Sequence, residues 1–257
     1  MIDIRLSDNL ELMAEMQDNT VDLIYCDILY GTGKDFGDYV DLKSVKSEIE
    51  EHYIPRIKEM HRILKDTGSI YLQMDTKINH WVRCILDDVF GYDNFKNEII
   101  WYYKKWSANT KKFLSTHDNI LFYTKSENHL FNVQYQDHSE NTKNRRKNRL
   151  TRVEKGIKIE VPFNKKGVPM HDVFIGMPYL PPSCNERKKV GYKTQKPKAL
   201  IERIIKASSN EGDLVADFYA GSFTTAEVCK DLNRKFIGCD ISEKAVQIGR
   251  ARVSALF

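Results

Sequence analysis

The sequence lacks a long apolar run and a secretory signal. No stretch of its 257 residues approaches the roughly 18 uninterrupted apolar residues of a membrane-spanning helix. The N-terminal stretch MIDIRLSDNLELM carries acidic residues early and has no apolar signal core. We therefore expect a cytoplasmic protein. Hydrophobic residues at 41% and charged residues at 30% are ordinary for a globular chain, so the composition indicates neither a fibre nor disorder.

The sequence also lacks the motifs of several kinds of site. The five cysteines show no CxxC or Cys/His ligand spacing, so neither a disulfide framework nor a metal site is expected. There is no GxGxxG and no GKS or GKT. This absence disfavours a dinucleotide, and it disfavours a triphosphate held by a P-loop.

The chain alternates strand-like and helix-like segments. Residues 21–27, VDLIYCD, form a continuous β-branched and aromatic run, which is typical of a strand covered on both faces. Residues 56–64 and 81–90 carry apolar side chains at helical spacing, and the strand-like SIYLQMD separates them. The alternation resumes after Pro197. The sequence therefore predicts an α/β fold with a doubly wound, mostly parallel sheet.

The alternation breaks down in the second half of the chain. Between about 132 and 190 the sequence has polar stretches, a basic cluster and the loop-like MPYLPPSCNERKK. We predict one domain made of residues 1–130 and 190–257, with an inserted region at 131–189.

The segments DFYAGSFTT and GCDIS predict a ligand site at the sheet edge. A strand at 214–218 runs into a turn with Gly221 and Ser222 and then into a helix, which places backbone N–H groups at the carboxyl edge of the sheet. Asp240 ends the next strand 19 residues after Gly221, close to the spacing at which an acid accepts ribose hydroxyls. This pattern indicates a nucleoside ligand. The alternative is an ordinary strand-to-helix turn with a surface aspartate.

The motif DILY ends a buried strand with a carboxylate and a phenol. In such a sheet, Asp27 and Tyr30 would face the same crevice as the ligand. A carboxylate accepts hydrogen bonds from an amino group, and a tyrosine ring offers a face on which a planar base can stack. The alternative is that Asp27 caps the loop and Tyr30 packs in the core.

Four segments of the chain resemble the motifs of one enzyme family, the beta class of amino-methylating DNA methyltransferases. SDNLELMAEMQDNTVDLIYCDILY resembles the family's opening, with Asp8 at the acidic position of its third motif and DILY where the family usually has D/N/S-P-P-Y. RILKDTGSIYLQMD and HDNILFYTKS resemble the next motifs. The most specific match is ERKKVGYKTQKPKALIERIIKASSNEGDLVADFYAGSFTT, and the resemblance spans nearly the whole chain.

The resemblance implies the fold and the chemistry of S-adenosylmethionine-dependent methyltransferases, with a methyl group transferred to an exocyclic amino group in DNA. Asp27 and the backbone carbonyl of Ile28 would polarise the amino group, and Tyr30 would stack on a flipped base. An aspartate at the first catalytic position resembles adenine-modifying members, so the first hypothesis is a site-specific adenine-N6 enzyme of a restriction-modification system. The implied catalytic residues are Asp27, Ile28, Leu29 and Tyr30.

The resemblance also implies the contacts of the cofactor, S-adenosyl-L-methionine. Asp240 would accept the ribose hydroxyls, and Lys196 would lie near the methionine carboxylate. The implied cofactor-binding residues are Asp8, Asp27, Thr194, Gln195, Lys196, Phe218, Tyr219, Ala220, Gly221, Ser222, Thr224 and Asp240.

Basic side chains predict a surface for double-stranded DNA. The run KNRRKNRLTR within the predicted target-recognition insert suits phosphate contacts. The alternative for an isolated basic run is a solvated, mobile loop. By analogy with the family, an aromatic residue of NEIIWYYKK would line the pocket opposite Tyr30. The candidate DNA-binding residues are Trp101, Lys111, Lys112, Lys143, Arg145, Arg146, Lys147, Arg149 and Arg152.

The sequence departs from the family's pattern at three places. Ile28 and Leu29 replace two prolines, Phe223 replaces the second glycine of the turn, and Lys193 stands before TQKP. If the Phe223 position needs a positive φ or a close approach of the cofactor, its side chain would obstruct the pocket. These departures indicate either one co-adapted variant pocket or a catalytically silent DNA-binding subunit of a methylation or restriction system. A cytosine-N4 methyltransferase is a separate alternative to the adenine enzyme. Further candidate partners are a second copy of the chain and a cognate restriction endonuclease.

Overall fold

The structure is a computed structural model of the chain, and it describes residues 1–37, 39–104, 111–141, 151–160, 164, 166–177, 179–181, 184–192 and 194–254. The strands are β1 Ile2–Leu6, β2 Val21–Asp27, β3 Leu64–Met74, β4 Phe95–Tyr102, β5 His117–Thr124, β6 Tyr135–Gln136, β7 Thr151–Glu154, β8 Ile157–Glu160, β9 Val168–Pro169, β10 Val173–Phe174, β11 Leu214–Asp217 and β12 Lys235–Asp240. The helices are α1 Asn9–Glu15, α2 Lys46–Ile63, α3 Asn79–Phe90, α4 Asn185–Val190, α5 Lys198–Ser208, α6 Thr224–Asp231 and α7 Glu243–Ser254, with a 3-10 turn at Tyr92–Asn94.

A mixed sheet of eight strands forms the centre of the molecule. Its order is β1-β12-β11-β2-β3-β5-β4-β10. β5 runs antiparallel to both of its neighbours, and the other pairings are parallel. The predicted α/β fold with a mostly parallel sheet is therefore confirmed. Because β11 pairs directly with β2, the loops that follow Asp217 and Asp27 leave the sheet side by side.

The sheet separates two apolar clusters, one on each face. One cluster contains the buried apolar residues of α1, α2 and α3, and the other contains those of α5, α6 and α7. β2 contributes to both clusters, since Ile24 belongs to the first and Leu23 to the second. A strand that is buried on both faces needs apolar residues at successive positions, and this requirement explains the unbroken run VDLIYCD.

The boundary between α2 and β3 differs from the predicted one. The apolar spacing predicts a helix at 56–64 and a strand from residue 69, whereas α2 begins at Lys46, passes through Pro55 and ends at Ile63. β3 follows at once, and Leu64 already pairs with Val21. The ladder register then shifts, because the next paired residue of β3 is Ser69. The residues between them are accommodated as an irregularity of the strand.

The described chain divides into two compact units. The larger comprises Met1–Asn132 and Asp172–Phe257, and the smaller comprises Val133–His171. The smaller unit contains the β6–β9 pair and the β7–β8 hairpin. The predicted insert spans 131–189, but residues 172–189 cluster with the larger unit, where β10 extends the sheet beside β4. Target recognition by the insert stays a prediction. Among the described residues, no helix is long and apolar enough to cross a membrane.

Candidate active site

A cavity of about 230 Å³ lies at the carboxyl ends of β2 and β11. Both sequence segments that predict chemistry contribute to its wall, so the DILY motif and the DFYAGSFTT turn face one space, as the strand order requires. The predicted site residues that line the cavity are Asp8, Asp27, Ile28, Leu29, Tyr30, Thr194, Gln195, Lys196, Phe218, Tyr219, Ala220, Gly221, Ser222, Thr224 and Asp240.

Hydrogen bonds from neighbouring elements fix the backbone of Ile28 and Leu29, the middle of the DILY motif. The Ile28 side chain is buried, and its backbone N–H donates to the Gln73 carbonyl at 3.0 Å. The Leu29 carbonyl accepts from the Tyr53 hydroxyl at 3.0 Å. The N–H group that a proline would have removed at Ile28 is thus satisfied. Within the described part of the chain, no group donates to the Ile28 carbonyl oxygen.

Asp27 is bound by two of the predicted site residues. Its Oδ1 lies 2.8 Å from the Tyr30 hydroxyl oxygen, and its Oδ2 accepts from Lys196 Nζ at 2.7 Å. Burial raises the pKa of Asp27, while the Lys196 ammonium acts in the opposite direction. Lys196 Nζ also lies 4.9 Å from the centroid of the Tyr30 ring. One face of that ring therefore has a cation beside it.

A second carboxylate, Asp118, takes part in the same network. Its Oδ2 lies 2.8 Å from the Tyr30 hydroxyl oxygen and accepts from Gln73 Nε2 at 3.0 Å, and its Oδ1 accepts from the Tyr103 hydroxyl at 2.8 Å. The sequence interpretation missed this residue. The available signal was a carboxylate at the start of HDNILFYTKS, just before the apolar residues of an interior strand.

The loop after DILY is tied back by Asp41, which sequence reasoning also missed. Its carboxylate is buried and accepts from Gly31 N at 3.1 Å, Thr32 N at 2.8 Å and Thr32 Oγ1 at 2.5 Å. Gly31 adopts a φ of 66°, which favours glycine at this sharp turn. The loop then returns over the cavity, where Phe36 and Tyr39 join the wall.

The turn after β11 is organised by two aspartates. Asp240 accepts from Gly221 N at 2.9 Å and from Ser242 N at 2.8 Å, which links the ends of β11 and β12. Asp217 is buried, accepts from Thr225 Oγ1 at 2.6 Å, and has its pKa raised to about 7 by burial. Asp240, which was predicted to accept the ribose hydroxyls, therefore lies beside the turn and fixes its backbone.

Phe223 takes the strained conformation that its position demands, but its side chain leaves the cavity free. Its φ is 54° and its ψ 37°, in the left-handed region that disfavours bulky residues. The side chain is fully buried, stands edge-on to Phe236 and packs on α7 at Gly249. A Cβ atom at Gly249 would lie 2.5 Å from the Phe223 ring. Phe223, which stands where the family has the second glycine of the turn, is therefore accommodated in the core, where its ring packs against Gly249.

The other end of the cavity carries a polar cluster that centres on Arg56. Asp8 caps α1 through Leu10 N at 2.8 Å and pairs with Arg56 at 3.2 Å. His52 Nε2 lies 2.9 Å from the Tyr219 hydroxyl. Burial and the Arg56 charge lower the pKa of His52 to about 4, so the imidazole is neutral near pH 7. Both α2 residues line the cavity, and neither was predicted from the sequence.

A family model described as DNA methylase, of the N6/N4 type, matches residues 21–251 of the chain. The chain belongs to this N6/N4 DNA methylase family. The match covers the strands that carry Asp27, Asp118 and Asp240. The predicted family resemblance is thereby confirmed at the level of a DNA methyltransferase of the N6/N4 family.

Relatives of this DNA methylase match over nearly all of its length. The Type II methyltransferase M.HpaI of Haemophilus parainfluenzae is 32% identical, over 98% of this chain and 74% of its own. The DNA adenine methyltransferase YhdJ of Escherichia coli K12 is also 32% identical, over 96% of this chain and 80% of its own. The M1.HpyAVI–SAM complex has the same fold, with a TM-score of 0.63 and 20% identity over 99% of this chain and 100% of that one. The cytosine-N4-specific PvuII methyltransferase superposes with a TM-score of 0.68 and 15% identity, over 98% and 86% of the two chains.

The residues predicted to contact DNA differ in burial, and several of them lie outside the described residues. Trp101 is 1% exposed and its indole Nε1 donates to the Met177 carbonyl at 3.2 Å, so it packs in the core and does not present a face to a ligand. Lys111 and Lys112 are exposed. Arg152 belongs to the short strand β7. The remaining predicted positions, Lys143, Arg145, Arg146, Lys147 and Arg149, lie outside the described residues, as does the variant Lys193.

Proposed function

We propose that this chain is a DNA adenine-N6 methyltransferase that uses S-adenosyl-L-methionine. The observation that carries the proposal is the shared cavity, in which Asp27 and Asp240 line one space and the side chain of Phe223 stays out of it. M1.HpyAVI and a putative DNA modification methylase of Thermus thermophilus share the fold and have structures named as complexes with this cofactor. The chemistry that the cofactor supplies is an electrophilic methyl group on a sulfonium.

The donors and acceptors around the cavity fit a nucleoside with an amino-acid tail. Asp240 presents carboxylate oxygens beside the Gly221 turn, where ribose hydroxyls would donate. Gln195 is nine-tenths buried, lines the cavity, and has an Oε1 atom without a donor. That oxygen suits an ammonium group such as the one in methionine. These assignments of Asp240 and Gln195 to the cofactor are part of the proposal.

The DILY motif supplies the acceptors that an exocyclic amino group needs. The amino lone pair of adenine is delocalised into the ring, so acceptors on its hydrogens make the nitrogen a better nucleophile. Asp27 and Ile28 both line the cavity, and the carboxylate of the first and the backbone carbonyl of the second would accept these hydrogens. The Tyr30 ring would support the base after it is flipped out of the duplex, since the target nitrogen is inaccessible inside the stack. The protein's contribution is mainly orientation of the amino group.

Adenine is favoured over cytosine by the aspartate that opens the motif and by a curated relative whose name is DNA adenine methyltransferase. Cytosine N4 is the second candidate, because the fold is shared with a cytosine-N4-specific enzyme. The smaller unit with its basic run is our candidate for double-stranded DNA contacts. Type II relatives favour a role in restriction-modification beside a cognate endonuclease. We propose a homodimer as well.

A purified-protein assay tests the reaction and the base together. The protein is incubated with methyl-labelled S-adenosylmethionine and double-stranded DNA, and the hydrolysed DNA is analysed by nucleoside mass spectrometry. We expect N6-methyldeoxyadenosine from the wild type. We expect none from Asp27→Ala, which should retain DNA binding. Detection of N4-methyldeoxycytidine alone would transfer the assignment to cytosine. Absence of product together with no calorimetric heat of cofactor binding would support a silent DNA-binding subunit.

A further inference from the structure

The hydroxyl of Tyr30 lies between two carboxylates. Its Oη is 2.8 Å from Asp27 Oδ1 and 2.8 Å from Asp118 Oδ2. A phenol has one proton and can donate it to one of these oxygens at a time. The other short contact then has no hydrogen to bridge it, unless a carboxyl group is itself protonated. The carboxylate that does not receive the Tyr30 proton is left as the stronger acceptor for any other donor.

Asp118 is built into the fold as the fixed partner of this pair. It is 4% exposed, and the Tyr103 hydroxyl and Gln73 Nε2 hold its two oxygens. Gln73 is in turn oriented by the hydroxyl of Tyr25 at 2.8 Å. Asp118 is not among the residues that line the cavity, whereas Asp27 and Tyr30 are. It therefore acts on a bound base only through Tyr30 and the charges near it.

Lys196 is the cation that lies near both carboxylates. Its Nζ is 2.7 Å from Asp27 Oδ2 and 3.9 Å from Asp118 Oδ2. Two carboxylates and one ammonium in a largely desolvated site leave one negative charge in excess. Burial and the like charge of Asp118 both raise the pKa of Asp27.

We propose that Asp118 is a positioning residue for methyl transfer: it draws the Tyr30 hydroxyl proton to itself and so leaves Asp27 Oδ1 to accept the amino hydrogen of the base. This inference rests on the proposed function. As the N–C bond forms and the S–C bond breaks, positive charge moves from sulfur to the amino nitrogen. The excess proton then passes from that nitrogen to Asp27, with an N–H bond broken and an O–H bond formed, and it leaves for solvent as the product departs.

The charged and titratable groups that face Asp27 come from several elements, and they set the sign of the expected change. They are Tyr25, Tyr30, Tyr39, Asp118, Lys196 and Asp217. Replacing Asp118 by asparagine removes a like charge, and it also returns the Tyr30 proton to Asp27. Both changes favour the ionised form of Asp27, so the pKa of Asp27 should fall.

The test combines a titration with kinetics. Carbon-13 NMR of aspartate-labelled protein, with Asp27→Asn to assign the signal, follows the Asp27 carboxyl group in the wild type and in Asp118→Asn. We expect a lower pKa of Asp27 in Asp118→Asn and an acid limb of kcat displaced to lower pH. We also expect kcat to fall by about 10- to 100-fold, with KM for DNA and cofactor nearly unchanged. Asp118→Glu, which keeps the charge, should restore part of kcat.

Two further variants separate positioning from damage to the fold. Asn119→Ala alters an equally buried neighbour on β5 that bonds to Glu98 and not to the network, and it should leave the Asp27 titration unchanged. In a Tyr30→Phe background, Asp118→Asn should shift the Asp27 pKa less, because the shared proton is gone. An Asp27 titration that is the same in the wild type and Asp118→Asn would overturn the inference. Because the titration needs no turnover, an inactive wild type would refute the proposed function alone.

Discussion

Phe223 and Gly249 form a matched pair of residues across the α6–α7 contact. The Phe223 backbone is in the left-handed region, which costs a non-glycine residue roughly 1 kcal/mol or more, but the ring fills core volume that Gly249 leaves open. Burial of the ring offsets the strain of the backbone. The sequence showed the departure from the family's glycine, but it could not show the direction of the side chain, because that depends on a residue 26 positions later in the chain.

The pairing predicts strong coupling between the two positions. Phe223→Gly should destabilise the fold by about 2–4 kcal/mol, since the loss of the buried ring outweighs the relieved strain. Gly249→Ala should cost about 1–3 kcal/mol alone because of overlap with the ring. In the Phe223→Gly background, Gly249→Ala should cost nothing or stabilise α7. Urea unfolding of the wild type, the two single variants and the double variant measures the coupling free energy, and additive effects would contradict the pairing.

Asp217 predicts a dependence of stability on pH. Its folded-state pKa is raised to about 7 by burial, above the usual value for an aspartate, so the folded state holds its proton more tightly than the unfolded state. The stability that this proton binding contributes is present below about pH 4 and is lost as pH rises to about 7. Asp217→Asn, which stays neutral, should therefore gain stability relative to the wild type by up to a few kcal/mol across that window. A difference that is constant from pH 4 to pH 8 would be inconsistent with a buried neutral Asp217.

The loop after β2 is the element that most directly shapes the cavity. The path of this loop back over the cavity depends on the Asp41 carboxylate, which accepts hydrogen bonds from two backbone N–H groups and one hydroxyl. Asp41→Ala should increase hydrogen exchange of residues 28–37 and raise KM, while the sheet keeps its protection. Asp35→Ala is the matched control, because Asp35 is exposed and its carboxylate accepts from Gly37 N within its own turn. Equal exchange in the two variants would show that Asp41 does not hold the loop.

Elements with local signals were predictable, and those fixed by distant partners were not. The apolar spacing predicted a helix at 81–90, and α3 spans Asn79–Phe90 and ends at Gly91, as its φ of 86° allows. VDLIYCD corresponds to β2. In contrast, nothing local marks β5 as antiparallel or brings Asp118 to Tyr30, since 88 positions separate them in the chain. Contacts of this separation depend on strand order, which one sequence does not display.

The whole molecule combines a methylase core with a smaller unit of its own. The core could be predicted because its motifs come in a recognisable order, and the family match confirms it. The boundary of the smaller unit was harder to predict, because its short strands carry little periodic signal and residues 172–189 cluster with the larger unit. DNA contact by the basic run 143–152 was predicted from its charge and from its position in the insert, and it stays a prediction.

Binding of double-stranded DNA should depend on that basic run through counterion release. Changing Lys143, Arg145 and Arg146 to glutamine should weaken binding at low salt and reduce the slope of log K against log salt by up to about 3, at roughly 0.9 for each phosphate that is no longer neutralised. Lys206→Gln is the control, since Lys206 pairs with Glu202 on α5. An unchanged slope would assign the run to a solvated segment that does not touch DNA.

Expression in cells that have no other DNA methylase tests whether the DILY pocket methylates adenine in DNA. The wild type and Asp27→Ala are expressed in a host without DNA methylation, and the genomic DNA is read by modification-sensitive sequencing. We predict N6-methyladenine at nearly every copy of one short sequence with the wild type, and none with Asp27→Ala. Genomic DNA without any modified base, or equal modification by the two proteins, would contradict adenine methylation by this pocket.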